Sequence, residues 1–183
     1  MTKTPAFPVL RLLAVFLLAT ALSACGFHLR NKIALPADLG PVRVVSTTPY
    51  SPLANDIAMG LQRAGATPAA ADATDVATLR IVSERWGDRP ISIDQFGRAQ
   101  EFSLRYAAIF VFRRADGSEL VPQQVVELSR DYVSPPQNVT GTTTEREIIA
   151  DELRREMAAS ILRRVDGVIG HGATPAPDAD ATP

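Results

Sequence analysis

Residues 100–113 read QEFSLRYAAIFVFR, and the alternation in this stretch decides the fold. Phe102, Leu104, Tyr106, Ala108, Phe110 and Phe112 occupy every second position. In an extended chain such residues share one face. The intervening Glu101, Ser103, Arg105, Ala107, Ile109 and Val111 make the opposite face mixed. A strand with one apolar and one mixed face belongs to a sheet covered on a single side.

Reading outward toward the C-terminus, Asp116-Gly117 is a hairpin signal leading into a last strand from about Glu119 to Tyr132. Pro122 lacks a ladder donor, so that strand must lie at an edge or carry a bulge there. Toward the N-terminus, the turn Gln95-Phe96-Gly97-Arg98 follows a short alternation at Ile91 and Ile93. A separate strand is expected over Thr78–Arg85, with Leu79 and Ile81 on one face, and another over Val42–Ser46. Thr67–Thr74 is alanine-rich and reads as a loop.

Two helices complete the pattern. Ser51-Pro52 supplies an N-cap and a proline at the first helical position, after which Leu53, Ile57, Leu61 and Ala64 recur at helical spacing up to Gly65. Thr144-Glu145-Arg146-Glu147 fits a capping box, and Ile149, Leu153, Met157, Ile161 and Val165 then step by four to about Ile169. The expected order is β-α-β-β-β-β-α. It makes an α+β two-layer sandwich, a mostly antiparallel sheet with two helices on one face.

Composition narrows the function. The chain has 183 residues, 46% of them hydrophobic, with 19 Lys+Arg against 20 Asp+Glu and a formal net charge of −1. That is room for one domain with a core, and no excess of positive charge exists to displace counterions from nucleic acid. The single cysteine excludes a disulfide framework, and His28 and His171 stand too far apart in sequence to suggest a Cys/His metal site. No Gly-rich phosphate loop follows a strand, and Asp72 and Asp75 read as solvated acids in a polar loop. The expectation is a protein that is not an enzyme and needs no cofactor.

The N-terminus reads as targeting. Lys3 and Arg11 precede an uncharged apolar run, Leu12–Leu22, which is too short for an ordinary membrane span and suited to a signal peptide. Leu22-Ser23-Ala24-Cys25 then resembles the bacterial lipobox, in which the cysteine sulfur receives a diacylglyceryl group, the chain is cut before it, and the new amine is acylated. Several acyl chains make an anchor durable where one does not. Gly26 is not acidic, which favours the outer over the inner membrane. The expected organisation is a signal peptide over 1–24, a lipidated tether over 25–40, the α+β domain over 41–170 and a disordered tail over 171–183.

Cys25-Gly26-Phe27-His28-Leu29-Arg30 resembles the mature start of the LPS-assembly lipoprotein family LptE. Further resemblances follow in order: Ser51-Pro52-Leu53, the run Gly97–Phe102 (GRAQEF), the Asp116-Gly117 hairpin, Arg130-x-Tyr132, and Glu145 opening the last helix. The resemblance implies a fold like the sandwich above and no catalysis. It implies a plug seated inside the outer-membrane β-barrel LptD, the pair inserting lipopolysaccharide into the outer leaflet, with lipopolysaccharide itself as a ligand. Two alternatives from the residues alone are an auxiliary lipoprotein of another envelope lipid-transport system and a structural outer-membrane lipoprotein.

Phe96, Arg98 and Arg105 are the candidate ligand contacts. An aromatic at a turn tip beside an arginine suits acyl chains next to phosphates, and Arg105 on the non-core face extends the basic strip. For the anchor, Cys25→Ala is expected to leave the domain folded and release it from membrane fractions. Retention in the membrane with unchanged mass would overturn that expectation.

Overall fold

In the computed structural model, residues 35–134 and 139–172 are described, with side chains over 35–134 and 143–170. The leader, Cys25, the tether up to residue 34 and the tail from 173 lie outside them. The elements run β1 (Val42–Ser46), α1 (Pro52–Arg63), β2 (Ala77–Ile93), β3 (Ala99–Arg113), β4 (Glu119–Val133) and α2 (Val139–Gly172). They form an α+β sandwich with one four-stranded sheet in the order β1-β2-β3-β4. The β1–β2 pair is parallel and joined through α1, while the other two pairs are antiparallel hairpins.

The sheet has four strands where the sequence pattern gave five. Thr78–Arg85 and Ile91–Ile93 belong to one seventeen-residue strand, β2. Gly87 and Pro90 read as breakers, yet β1 pairs β2 only through Ala77–Ile81, so Pro90 sits on an open edge where no donor is missed. Register shifts interrupt the β2–β3 ladder between Ile81 and Ser83 and again between Pro90 and Ser92. Pro122 lies on the other edge strand, where β4 slips register between Val121 and Gln124.

Those bulges reverse the inward parity of their strands. On β2 the core takes Leu79 and Ile81, and past the bulge Glu84, Trp86 and Asp88 pair with the core-facing Ala108, Tyr106 and Leu104. On β4 it takes Val121 and then Val126 and Tyr132. Strand β3 keeps its alternation as the sequence requires: Leu104, Tyr106, Ala108, Phe110 and Phe112 are all fully buried, and Phe102 packs against them partly exposed.

Helix α1 is capped as expected, with Ser51 Oγ accepting from the Ala54 amide. Leu53, Ile57 and Leu61 enter the core beside Leu153, Met157, Ile161 and Val165 of α2. Gly60 lets the two helices approach, since a β-carbon there would run into the Leu162 side chain. Helix α2 starts at Val139, five residues before the capping box, and continues through His171 and Gly172 into the expected tail. Gly141 and the threonines that follow are weak helix formers, so the sequence pattern favours a later start. The domain also begins earlier than residue 41, because Leu39 is buried and Leu35 packs on the core.

The alanine-rich loop is pinned. The Arg43 guanidinium donates to the carbonyls of Ala70, Ala71 and Ala73 at 2.8, 3.3 and 2.7 Å. Truncating the core should show its weight. Leu153→Ala is expected to cost about 2–5 kcal/mol and Phe110→Ala about 3–5 kcal/mol, because lost burial and a residual cavity add. Chemical denaturation of both variants checks this, and losses below about 0.5 kcal/mol at both sites would mean the assigned core face is wrong.

Candidate functional site

The β2–β3 hairpin outruns the rest of the sheet. Strand β4 pairs with β3 only as far as Glu101–Val133, so the hairpin beyond that row is two-stranded. Its end exposes Ile91, Ile93 at 69% and Phe96 at 71%. Asp94 organises the tip: Oδ1 accepts from the amides of Phe96 and Arg98 at 2.8 and 2.9 Å. Oδ2 takes Arg98 Nε at 2.8 Å and Gln100 Nε2 at 3.2 Å. Gly97 supplies the left-handed turn residue with φ of 76°. The guanidinium of Arg98 then lies 5.2 Å from the centre of the Phe96 ring.

Phe96 and Arg98 are therefore brought together, a cation against an exposed ring. Arg105 is not part of that tip. It stands seven residues along β3, roughly 20–25 Å away at about 3.3 Å per residue. It forms an ion pair with Glu127 of β4 at 2.5 Å.

Two polar centres between sheet and helices escaped the sequence reading. Glu84 accepts from Ser46 Oγ (3.0 Å), from the N-cap Ser51 Oγ (2.6 Å) and from the Tyr106 hydroxyl (2.8 Å). Burial first, and the Glu84 carboxylate second, push the Tyr106 phenol well above its ordinary range. Asp88 receives the Tyr132 hydroxyl at 2.9 Å and both Nε and an Nη of Arg146 at 3.0 and 2.7 Å. The Arg146 hydrogen bonds hold the Asp88 carboxyl below the usual carboxylate range. Between these acids, Trp86 stacks on Tyr106 with ring centres 3.8 Å apart. Only the parity change at Val82 aims Glu84 and Asp88 at the helices, and no local pattern announces a bulge.

Among the described residues, no group of three or more His, Cys, Asp or Glu side chains is placed to hold a metal ion. No described helix is long and apolar enough to cross a membrane.

The fold is similar to that of solved bacterial lipoproteins. It is similar to the rare lipoprotein B of Shewanella oneidensis, with a TM-score of 0.63 at 22% identity over 74% of this chain and all of that one. It is also similar to lipoprotein B of Nitrosomonas europaea, at 0.62 and 23% over 80% and 94%. At these identities the likeness is one of fold.

The sequence goes further. The LptE family, described as lipopolysaccharide-assembly, matches residues 39–165, and the chain belongs to it. The LPS-assembly lipoprotein LptE of Photorhabdus laumondii is 29% identical over 154 residues, covering 84% of this chain and 82% of its own. That of Yersinia pestis, strain Pestoides F, is 29% identical over 158 residues, covering 84% and 73%.

The turn has a pH signature. The Arg98 amide, then the Arg98 guanidinium and the Phe96 amide, lower the Asp94 carboxyl from 3.8 to about 2. Because the folded value is depressed, what Asp94 contributes is present above the unfolded value and lost as pH falls through about 2. Amide chemical shifts of Phe96 and Arg98 should hold constant at pH 4 and move on acidification toward pH 2. In Asp94→Asn that titration should vanish, and a titration unchanged in the variant would assign the effect elsewhere.

Proposed function

We propose that this protein is an outer-membrane lipoprotein, acylated at Cys25, that seats as a plug in an LptD-like β-barrel and assists delivery of lipopolysaccharide to the outer leaflet. Family membership across residues 39–165 carries the reading. The Leu22-Ser23-Ala24-Cys25 run supports the anchor, whose N-acyl and S-diacylglycerol chains would hold the domain at the inner leaflet of the outer membrane. The hairpin tip supports the cargo. Phe96 and Arg98 offer apolar surface beside a cation, the combination that acyl chains next to phosphates require.

Within this reading the polypeptide has no reaction to perform. Its contribution is geometric: it places a rigid sheet, and the hairpin end that extends past it, where lipid must be turned. Arg98 would exchange part of its contact with Asp94 for a phosphate, and Arg105 would do the same from its pair with Glu127. Arg98 is about half exposed, and so are both partners of the Arg105–Glu127 pair, so the exchange costs little.

The test is purification of the full chain from membranes. A stable complex with a large β-barrel is the expected result, and recovery of an inner-membrane ATPase in its place would favour an auxiliary role in another transport system. Arg98→Glu combined with Arg105→Glu should weaken lipopolysaccharide binding several-fold with thermal stability nearly unchanged. Binding that is untouched, or that falls only as the fold melts, would remove these arginines from the ligand site.

A further inference from the structure

Past Ile81 the outer edge of β2 has no strand beside it among the described residues. Strand β1 ends its pairing at Ser46, and the last links from that side to the β2 main chain are the Thr47 amide to the Ile81 carbonyl at 3.1 Å and Thr47 Oγ1 to the Val82 carbonyl at 2.9 Å. From Ser83 to Pro90 the ladder to β3 runs without interruption between two register shifts. On the opposite side of this regular segment the backbone groups have no main-chain partner among the described residues, which makes it a template for another strand. Pro90, with no N–H, closes the segment at its far end.

The side chains along this edge are ordered by face. Arg85 and Arg89 pair across the ladder with Ala107 and Ser103, on the side away from the helices, and Arg80 precedes them opposite Val111. All three are exposed. Among the described residues none of the three has an ion-pair or side-chain hydrogen-bond partner, whereas Arg105 and Arg113 on the same face are bound to Glu127 and Glu119. On the helix side, Glu84 and Asp88 are engaged by their own partners, and between them stands Trp86. One of its ring faces is against Tyr106 and the residue is 38% exposed.

We propose that the Ser83–Arg89 edge is a docking site for an extended polypeptide segment of a partner protein, one that carries acidic side chains on one face and apolar side chains on the other. Added as a strand, such a segment exchanges main-chain hydrogen bonds with β2, and alternate side chains give the selectivity. Acidic residues four apart meet Arg85 and Arg89, at the spacing by which strand residues share a face. The residue facing Trp86 is apolar and covers the ring. A basic segment is rejected, because it sets like charges opposite the arginines. The site is separate from the hairpin tip and does not depend on lipopolysaccharide being the cargo.

Trp86 is the single tryptophan of the chain, so its fluorescence reports on this edge directly. The experiment titrates the full chain in detergent with a short capped peptide alternating glutamate and valine. A saturable blue shift of Trp86 emission is expected, together with slowed amide exchange within Ser83–Arg89. A peptide of the same composition with glutamates and valines in separate blocks should bind at least about tenfold more weakly. Arg85→Glu with Arg89→Glu should abolish binding of the alternating peptide and confer binding of its lysine–valine counterpart. Equal binding of alternating and block peptides would overturn the proposal in favour of general attraction to anions. A Trp86 shift with phosphatidylglycerol vesicles and none with peptide would assign the face to a membrane. A shift that follows protein concentration alone would assign it to a second copy of the chain.

Discussion

Strand β3 presents Leu104, Tyr106, Ala108, Phe110 and Phe112 to one side of the sheet, all of them withdrawn from water. A large apolar side chain fully buried in this way contributes about 1.5–3 kcal/mol, and together these residues form a floor that must be roofed. The two helices are that roof. Leu53, Ile57 and Leu61 come from one side and Leu153, Met157, Ile161 and Val165 from the other, meeting where Gly60 leaves room for Leu162. The sheet stays single-layered because only one of its faces makes this demand. The other carries arginines and carboxylates that water or a partner can satisfy.

Placing a tyrosine in the middle of that floor creates a second requirement. The Tyr106 hydroxyl is taken from water and must find an acceptor. Glu84 supplies it, and the same carboxylate then accepts from Ser51 and Ser46, so one acid joins β1, the start of α1 and β3. A negative charge beside a helix N-terminus is also favourable to the helix. Further along the strand, Asp88 repeats the arrangement with Tyr132 and Arg146, tying α2 to the sheet. Both acids reach the helix side because of the register shift after Ile81. Without it the parity of β2 would continue unchanged, turning Arg85 and Arg89 inward and the acids outward.

This is also where sequence reading reaches its limit. The face of β3, the cap at Ser51, the stripe of α2 and the Asp116-Gly117 turn follow from periodicities that each residue carries locally. A bulge does not: it is set by the partner strand, and on either side of it the alternation looks regular. Gly87 and Pro90 signal a break for the same reason, since tolerance of proline in a strand depends on whether a neighbour needs its N–H. At the tip, Gly97 and the exposed Phe96 and Arg98 were legible from turn chemistry. Asp94 is a turn former by residue type, but its four acceptor contacts depend on the closed geometry of the tip. Arg105 was legible as outward-facing, but its pair with Glu127 depends on β4 register.

The long hairpin follows from these constraints and gives them a use. Beyond the row of Glu101 and Val133 no third strand among the described residues pairs with it, and a two-stranded ribbon is marginal in water by itself. The ring of Phe96 and the side chain of Ile93 are therefore exposed on the least supported part of the fold, with Ile91 exposed at its border. Surface of this kind is retained where a partner covers it. Burying it would return the free energy that the isolated domain forgoes, and pairing along the Ser83–Arg89 edge would give the ribbon a third strand close to that end. Strand β2 carries the edge and runs directly into the tip, so an occupant of either would stiffen the other.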